Sequence, residues 1–360
     1  MIDGFQIYLI IRNVLDRVRL MPGQVEHASK DTGEVLNNSI KNDVFVELYD
    51  GQVPGVTIRG SLHKLYSHAG NDTLFTFSQL RKTVESLAWR FCINLREPCL
   101  QHLEFAVNIF AKCPEAVIDS AVLYYDRPAT NRTLTKKFYY KEWEFEDYSV
   151  KLYRKGASLL RFEVHIKRMR ALDGGRVRSL EDLRRRDVFV RCLAHLYTCV
   201  DKFVFVPSKV GSLPDDLKEI WALRRNDTYW QQLKSYQRTR EKKRVLEAIK
   251  NYDLIDWARY LKKNIIASGA QMLGINEDQL VAMFSTLGLD AETVAGPVGN
   301  CDRLTDLDKD DYSFSSLWSV CLSHTVANGG LSHTLEVVRV YSDVHLGGRG
   351  PPAQRYSVLN

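Results

Sequence analysis

Three short segments of the chain carry the residue types that phosphoryl-transfer chemistry uses. In residues 102–109, 150–155 and 159–167, polar and apolar side chains alternate with a period of two, which predicts β-strands with one apolar and one polar face. The polar face holds, in chain order, His102, Glu104, Lys151, Tyr153, Lys155, Arg161, Glu163, His165 and Lys167. If the three strands are neighbours in one sheet, these side chains form a single site.

The carboxylates on this face suggest a metal. Glu104 and Glu163 would repel each other unless a cation lay between them. Oxygen ligands combined with imidazoles suit Mg²⁺ or Mn²⁺, so the predicted ligands are Glu104 and Glu163, with His102 and His165 as additional candidates. A hard divalent cation there would polarise a phosphodiester oxygen and spread the charge that develops during in-line displacement.

Tyr153 is the candidate nucleophile on the same face. The ordinary pKa of a phenol is near about 10, so Tyr153 needs a metal or a cation such as Lys155 to favour the phenolate. Tyr139, Tyr140 and Tyr148 lie close by in sequence and compete for this role. Periodicity leaves a plainer alternative open, in which the face is solvated and its charges form cross-strand ion pairs.

The net charge of +6 conceals an uneven distribution. Residues 151–263 carry 28 Lys and Arg against 14 Asp and Glu, whereas residues 264–360 carry 5 against 11. The basic segment favours a polyanionic partner over a merely solvated helix face. The predicted DNA contacts are Arg168, Arg170, Arg184, Arg185, Arg186, Arg238, Arg240, Lys242 and Lys243. Basic residues are densest in two runs, 167–186 and 224–244. The aromatic residues of the second basic run either stack on unpaired bases or belong to a core; they are Tyr229, Trp230 and Tyr236.

Other classes of protein are not supported. The chain has no Gly-x-x-x-x-Gly-Lys-Ser/Thr and no Gly-x-Gly-x-x-Gly, so neither a nucleotide-driven motor nor a dinucleotide enzyme is indicated. Seven irregularly spaced cysteines predict reduced thiols rather than disulfides or a zinc site. No apolar run approaches the length of a membrane helix, and no signal peptide is evident, so we expect a cytoplasmic protein without membrane contact.

The remaining patterns predict the elements that position these residues. Strands are expected near residues 2–11, 44–48 and 56–58, and a helix from Phe77 with Ser78 as its N-cap. Helical spacing returns beyond Ser179. The predicted fold is α+β, with an antiparallel-sheet catalytic domain followed by a basic, mainly helical region and a poorly ordered acidic tail. The predicted boundaries are 1–175 for the catalytic nicking domain, 176–285 for the DNA-binding region and 286–360 for the Gly/Ser-rich tail.

Six short motifs, taken in order, resemble the filamentous-phage replication initiators, the gene II and gene X type of phage and plasmid replication protein. They are Met1-Ile2-Asp3, Gly60-Ser61-Leu62-His63-Lys64, Gly70-Asn71-Asp72, Leu103-Glu104-Phe105-Ala106-Val107-Asn108-Ile109, Leu152-Tyr153-Arg154-Lys155 and Leu160-Arg161-Phe162-Glu163-Val164-His165-Ile166-Lys167. The resemblance runs from residue 1 to about 180 and continues loosely to about 265. The large family of initiators and relaxases built on a His-hydrophobic-His metal motif is not supported, because that pair is absent from the sequence.

The resemblance implies a rolling-circle initiator. Such a protein recognises a double-stranded origin in the bacterial host cytoplasm and nicks one strand through a tyrosine. It stays linked to the 5′ phosphate, leaves a 3′ hydroxyl for the host polymerase, and later rejoins the displaced single strand. A host helicase is a further expected partner. The phosphotyrosine link keeps the energy of the cleaved diester, so no ATP site is needed.

Carried over by position, the resemblance makes Tyr153 the nucleophile and Lys155 the lysine of the Tyr-x-Lys pattern. Glu163 takes the acidic place of the Arg-Phe-Glu strand, and Glu104 stands where relatives often carry aspartate. Two alternatives stay open at this point. One is a metal nuclease in which water attacks and Tyr153 is structural, and the other is an origin-binding replication regulator without catalysis.

Overall fold

The computed structural model describes a defined part of the chain. It covers residues 2–10, 25–28, 35–41, 44–49, 55–67, 72–124, 129–134, 139–207 and 213–289. The acidic tail predicted for 286–360 lies outside the described residues from position 290 onward. Among the helices that the structure describes, none combines the length and the apolar character needed to cross a lipid bilayer.

Twelve strands and nine α-helices lie within the described residues. The strands are β1 (Ile2–Ile10), β2 (Val25–Ala28), β3 (Val35–Lys41), β4 (Val44–Tyr49), β5 (Gly55–Ser61), β6 (Cys99–Phe110), β7 (Ala121–Leu123), β8 (Ala129–Leu134), β9 (Tyr139–Glu144), β10 (Tyr148–Arg154), β11 (Leu159–Ile166) and β12 (Phe203–Phe205). The helices are α1 (Leu62–Ser67), α2 (Phe77–Phe91), α3 (Pro114–Ser120), α4 (Arg186–Val200), α5 (Asp215–Arg224), α6 (Asp227–Gln232), α7 (Ser235–Asn251), α8 (Trp257–Leu273) and α9 (Glu277–Thr286).

Ten of these strands form one antiparallel sheet. Their order is β2-β3-β4-β5-β1-β6-β11-β10-β9-β8, and β7 and β12 pair separately. The predicted α+β class with an antiparallel sheet is therefore confirmed. The strands β1, β6, β11 and β10 are consecutive neighbours within it. This brings the first strand of the chain next to strands that lie about a hundred residues further along.

The apolar face of the central strands carries the main core. Phe105 on β6 and Phe162 and Val164 on β11 are buried there, together with Leu193 on α4 and Leu261 on α8. The side chains alternate across each strand, so burial of one face leaves the other face to the polar residues. The same core extends through residues on both sides of the boundary predicted near 175, from the sheet to α9.

Helix α2 begins as the periodicity predicts, but its N-cap is Thr76 rather than Ser78. The Thr76 hydroxyl accepts a hydrogen bond from the Gln79 backbone N–H at 3.2 Å, and the Gln79 side chain accepts one from the Thr76 backbone N–H at 2.7 Å. This reciprocal capping box satisfies two backbone donors, whereas a cap at Ser78 would leave Phe77 outside the helix.

Helices α5, α6 and α7 surround a second, smaller core. Trp221 and Trp230 are buried in it, and their indole N–H groups donate to the carbonyl oxygens of Pro207 at 2.9 Å and Arg224 at 2.6 Å. Of the aromatic residues in the second basic run, Trp230 therefore belongs to the core, whereas Tyr236 is exposed. A base-stacking role is open only to the exposed ring.

Acidification is expected to destabilise the protein through His195 on α4. This imidazole packs edgewise on Phe105 and Tyr148, with ring centroids at 6.0 and 5.2 Å. Burial, assisted by the charge of Lys202, lowers the pKa of His195 to about 4, below the ordinary 6.5. The unfolded chain therefore binds more protons between these values, and stability falls as the pH drops through this window, by up to about 3 kcal/mol.

Urea unfolding of wild type and His195→Phe at several pH values between 4 and 7 measures this effect. His195→Phe should lose the His195 share of the pH dependence, while the share from other histidines remains. Equal pH slopes for the two proteins would show that His195 does not stay neutral in the folded core.

Candidate active site

The polar residues of β6, β10 and β11 lie side by side in the sheet. Tyr153 pairs in register with Arg161, and Lys151 pairs with Glu163. On the other side of β11, His165 pairs with Glu104. A shared site requires that these strands be neighbours, and they are. Because paired residues on adjacent strands point to the same face, the geometry places all of these groups over one patch of the sheet.

The candidate nucleophile is bonded to the candidate acid. The Tyr153 hydroxyl donates a hydrogen bond to Glu163 Oε2 at 3.1 Å, and Arg161 Nε lies 3.1 Å from the same oxygen. Burial and the charge of Glu163 raise the pKa of Tyr153 well above its ordinary value, with Arg161 opposing them. The phenol is therefore protonated at neutral pH, and its proton already points at Glu163.

A buried arginine joins this pair to the first strand. The Arg161 side chain is 0% exposed, and its Nη2 donates to Asp3 Oδ2 at 2.6 Å. The Ser61 hydroxyl donates to the other carboxylate oxygen of Asp3. Arg161 thus bridges Asp3 and Glu163, and it holds the Glu163 carboxylate beside Tyr153. Asp3 and Ser61 were not predicted as site residues; the available signal for Asp3 was a carboxylate near the start of a mainly apolar strand.

Glu104 lies in a different electrostatic environment. Burial and the nearby carboxylates of Glu163 and Asp3 raise its pKa to about 7. The backbone of Gly4 leaves room for this side chain, because a Cβ at that position would lie 2.2 Å from Glu104 Oε2. His165 Nδ1 is 3.9 Å from Glu104 Oε1. Glu104 is therefore close to half protonated at neutral pH and is able to act as an acid.

The two histidines of the face are neutral at neutral pH. The His102 and His165 rings lie 5.7 Å apart, centroid to centroid. Burial lowers the pKa of both, and each of them also contributes to the polar surface beside Glu104. Neutral imidazoles are the form that binds metals.

Neutralising Glu104 is expected to stabilise the protein at alkaline pH. The folded-state pKa of this acid lies above its unfolded value, so its contribution to stability is full below about 4.5 and is lost as the pH rises through about 7. Glu104→Gln should therefore be more stable than wild type at pH 8, by roughly 1 kcal/mol after allowance for solvent screening of this half-exposed group. Thermal unfolding of both proteins at pH 5 and pH 8 measures the difference, with the conservative variant Glu85→Gln on the surface of α2 as control. A gain that is the same at both pH values would contradict the assignment.

The two lysines predicted beside Tyr153 make different contacts. Lys155 Nζ pairs with Asp72 Oδ1 at 3.0 Å, and burial lowers the pKa of its ammonium group. Lys151 Nζ lies 5.6 Å from the centre of the Tyr153 ring and 4.7 Å from that of Tyr140. Of the two lysines, Lys151 is the one positioned over the phenol.

The structure distinguishes the three tyrosines that compete with Tyr153 for the role of nucleophile. Tyr139 donates to Asp119 Oδ1 at 2.8 Å, and burial together with that carboxylate raises its pKa to about 12. Tyr148 stacks on Phe145 with ring centroids 4.6 Å apart. Tyr140 pairs in register with Tyr153 across β9 and β10. Only Tyr140 among these three therefore shares the immediate surroundings of Tyr153.

The predicted metal ligands do not form a coordination set. Within the described ranges, no three Asp, Glu, His or Cys side chains are grouped so that they could hold a metal ion. The guanidinium of Arg161 lies between the carboxylates of Asp3 and Glu163, whereas the cation was predicted between Glu104 and Glu163. Glu163 is thereby engaged with Arg161 and Tyr153, while Glu104 faces His165. The divalent cation stays a prediction.

The two basic runs differ in how far nearby acids neutralise them. The first run forms ion pairs with acidic residues at 2.6–2.9 Å: Arg168 with Glu146, Arg170 with Glu146 and Asp147, Arg184 with Glu85 and Glu181, and Arg185 with Asp187. Arg186 instead reaches the carbonyl oxygen of Leu273 at 3.4 Å. These pairs lower the net field of this run.

The second run lies on α7. Lys242 Nζ donates to the carbonyl oxygen of Asp201 at 3.1 Å, and Lys243 is 4.0 Å from Glu247. Arg238 and Arg240 have no acidic partner among the residues that the structure describes, and Arg240 is exposed. Phosphates would therefore compete with fewer protein carboxylates here than at the first run.

Comparison of the chain with models of protein families, with curated proteins and with solved structures found no match. The resemblance to phage replication initiators stays a prediction, and the function must be argued from the site.

Proposed function

We propose that this protein initiates rolling-circle DNA replication by nicking one strand of a double-stranded origin and later rejoining it. The observation that carries the proposal is the hydrogen bond from the Tyr153 phenol to Glu163, with Arg161 on the same carboxylate oxygen. A nucleophile bonded to a base, which a third group holds in place, is the arrangement expected for covalent catalysis.

The nicking step uses Glu163 as base and Glu104 as acid. Tyr153 Oη attacks the phosphorus while its proton passes to Glu163. The bond between phosphorus and the 3′ oxygen breaks, the Tyr153–phosphorus bond forms at the 5′ phosphate, and Glu104 donates a proton to the leaving oxygen. Rejoining reverses these transfers. This exchange needs one carboxyl group that accepts a proton and one that donates a proton. Glu163 and Glu104 lie in different surroundings, which suits them to these two roles.

The high pKa of Tyr153 makes the contact with Glu163 essential to this mechanism. A free phenolate would be scarce at neutral pH, so the proton must leave during the attack itself. Arg161 is too deeply buried to touch a phosphate and acts as a positioning residue for Glu163. Lys151 and Lys155 are the proposed contacts to the scissile phosphate. Mg²⁺ or Mn²⁺ remains part of the proposal as a cation that would polarise the phosphodiester.

Origin DNA is the proposed partner, and α7 is its proposed main contact. Arg238 and Arg240 lack acidic partners within the described residues, and Tyr236 beside them is 68% exposed. Phosphate contacts by such side chains position a duplex, and an exposed ring stacks on bases that become unpaired. The first basic run would contribute only where phosphates displace its carboxylate partners. A host helicase and polymerase in a bacterial cytoplasm complete the proposed setting.

Label transfer tests the proposed reaction. The probe is internally phosphorus-labelled, negatively supercoiled circular DNA that carries the gene with its flanking sequences, incubated with the full chain and Mg²⁺ or Mn²⁺, or with a chelator. We expect nicked circles and label that stays on the protein after denaturation. Nicking without protein-bound label would indicate a nuclease that uses water, and binding without any cleavage would indicate a replication regulator. Either result would overturn the proposal.

A further inference from the structure

A cavity of about 260 Å³ lies between α1 and α2, outside the cluster around Tyr153. Its walls combine hydroxyl groups, two cations, an aromatic ring and an apolar floor. The lining residues are Leu65, Tyr66, Lys82, Thr83, Ser86, Leu87 and Arg90. This mixture of charge and apolar surface is typical of a site for a small anionic group attached to a ring.

The cations of the cavity form a row along α2. Lys82, Ser86 and Arg90 are four residues apart, so they follow one stripe of the helix over about 12 Å. Lys82 and Arg90 have no ion-pair partner among the described residues. The carboxylate of Glu85, which lies on the same helix, is occupied by Arg184 at 2.7 Å. The row is therefore available to an anion from outside the chain.

Aromatic rings flank this row. Trp89 is 81% exposed, and on an ideal helix it lies within about 60° of Lys82 and Ser86. Tyr66 in the cavity wall is 41% exposed, and its ring lies 5.9 Å from that of Phe75, centroid to centroid. An exposed tryptophan beside cations is a suitable platform for stacking a base while the cations hold its phosphate.

Helix α1 connects the cavity to the candidate active site. The helix starts directly after Ser61, whose hydroxyl donates to Asp3, the partner of Arg161. Tyr66 follows within the same six-residue helix and faces the cavity. One helix of six residues therefore links the two sites along the chain. Because of this link we take a strand attached to Tyr153, rather than a free nucleotide, as the occupant.

We propose that this cavity binds a nucleotide of single-stranded DNA next to the cleavage point, with its phosphate between Lys82 and Arg90 and its base against Trp89 or Tyr66. The inference rests on the proposed function and adds to it a site for the single-stranded product. Free nucleotides share this chemistry, and the experiment separates the two sources.

Fluorescence anisotropy with a short fluorescein-labelled oligothymidylate tests the site. The full chain carries Tyr153→Phe, so that no covalent product forms. We expect Lys82→Glu with Arg90→Glu to weaken binding by about 10-fold or more, and Trp89→Ala by at least about 5-fold. The matched control changes the same charge off the stripe, at Arg81→Glu with Arg96→Glu. Equal weakening by the two pairs would show only a general charge effect and would overturn the proposal.

Competition with unlabelled thymidine monophosphate distinguishes the ligand source. We expect the oligothymidylate to compete much better than the mononucleotide at equal nucleotide concentration. Equal competition would indicate a free-nucleotide site and would overturn the assignment to a strand. Circular dichroism and thermal unfolding confirm that each variant folds. The binding experiment uses Tyr153→Phe and therefore does not depend on the nicking reaction. A failure of label transfer in the wild type and a failure of oligothymidylate binding can thus be told apart.

Discussion

Tyr153→Phe is expected to abolish transfer of DNA label to the protein, lowering the rate by at least about 10³-fold. The change removes only the hydroxyl, so the ring and its packing beside Lys151 remain. Without Oη, no bond to phosphorus can form and no proton passes to Glu163. The measurement is the rate at which label becomes bound to denatured protein, with supercoiled DNA carrying the gene and its flanks as probe.

Tyr140→Phe is the matched control, because Tyr140 is the register neighbour of Tyr153 and shares the charge of Lys151. It should keep label transfer within a few-fold of wild type. Glu163→Gln should lower the rate by about 10²- to 10⁴-fold, as expected for loss of a general base, while leaving a phenol in place. Loss of activity in Tyr140→Phe with full activity in Tyr153→Phe would reassign the nucleophile to β9.

Breaking the ion pair between Asp3 and Arg161 is expected to cost about 3–5 kcal/mol of unfolding free energy. Both side chains are buried, so removing one charge deprives the other of an ion-pair partner in the protein interior. Asp3→Asn and Arg161→Met should each show this loss in urea unfolding at neutral pH. The double variant should recover part of it, because neither charge is then left alone. Arg161→Met also removes the ion-pair partner of Glu163, so the recovery of unfolding free energy in the double variant should be incomplete.

The exposed pair of Arg59 and Glu47 provides the control for this prediction. Its two atoms are 2.8 Å apart, but the Arg59 side chain is 48% exposed. Arg59→Met should therefore change stability by less than about 1 kcal/mol. If Asp3→Asn lowered the free energy of unfolding as little as Arg59→Met does, the buried pair would not stabilise the sheet. If the double variant were no more stable than the less stable single variant, the two residues would not act as a pair.

Much of the fold was predictable because the relevant signals are local. The alternation in β6, β10 and β11 assigned Glu104, Tyr153 and Glu163 to the face opposite the buried residues, and the structure has them there. The helical spacing that begins at Phe77 likewise predicted α2. The direction of a side chain along a strand or helix depends on a few neighbouring residues, so a single sequence reveals it.

The composition of the site was less predictable. A metal ion was predicted between Glu104 and Glu163, and the structure places Arg161 between Asp3 and Glu163. Lys155, predicted to support the phenolate or the scissile phosphate, forms an ion pair with Asp72. In both cases the partner comes from a segment that is distant along the chain from the strands of the motif, and periodicity carries no information about such partners.

The sequence by itself determined which residues share the polar face, that the middle of the chain is basic, and that the fold is α+β. Only the tertiary structure decided that β1 lies beside β6, so that Asp3 meets Arg161, and that α1 follows Ser61 toward the cavity lined by Lys82 and Arg90. The reason is physical. Face and periodicity follow from local backbone geometry, but ion pairs, burial and pKa shifts arise from contacts between distant segments, which exist only once the sheet has assembled its register.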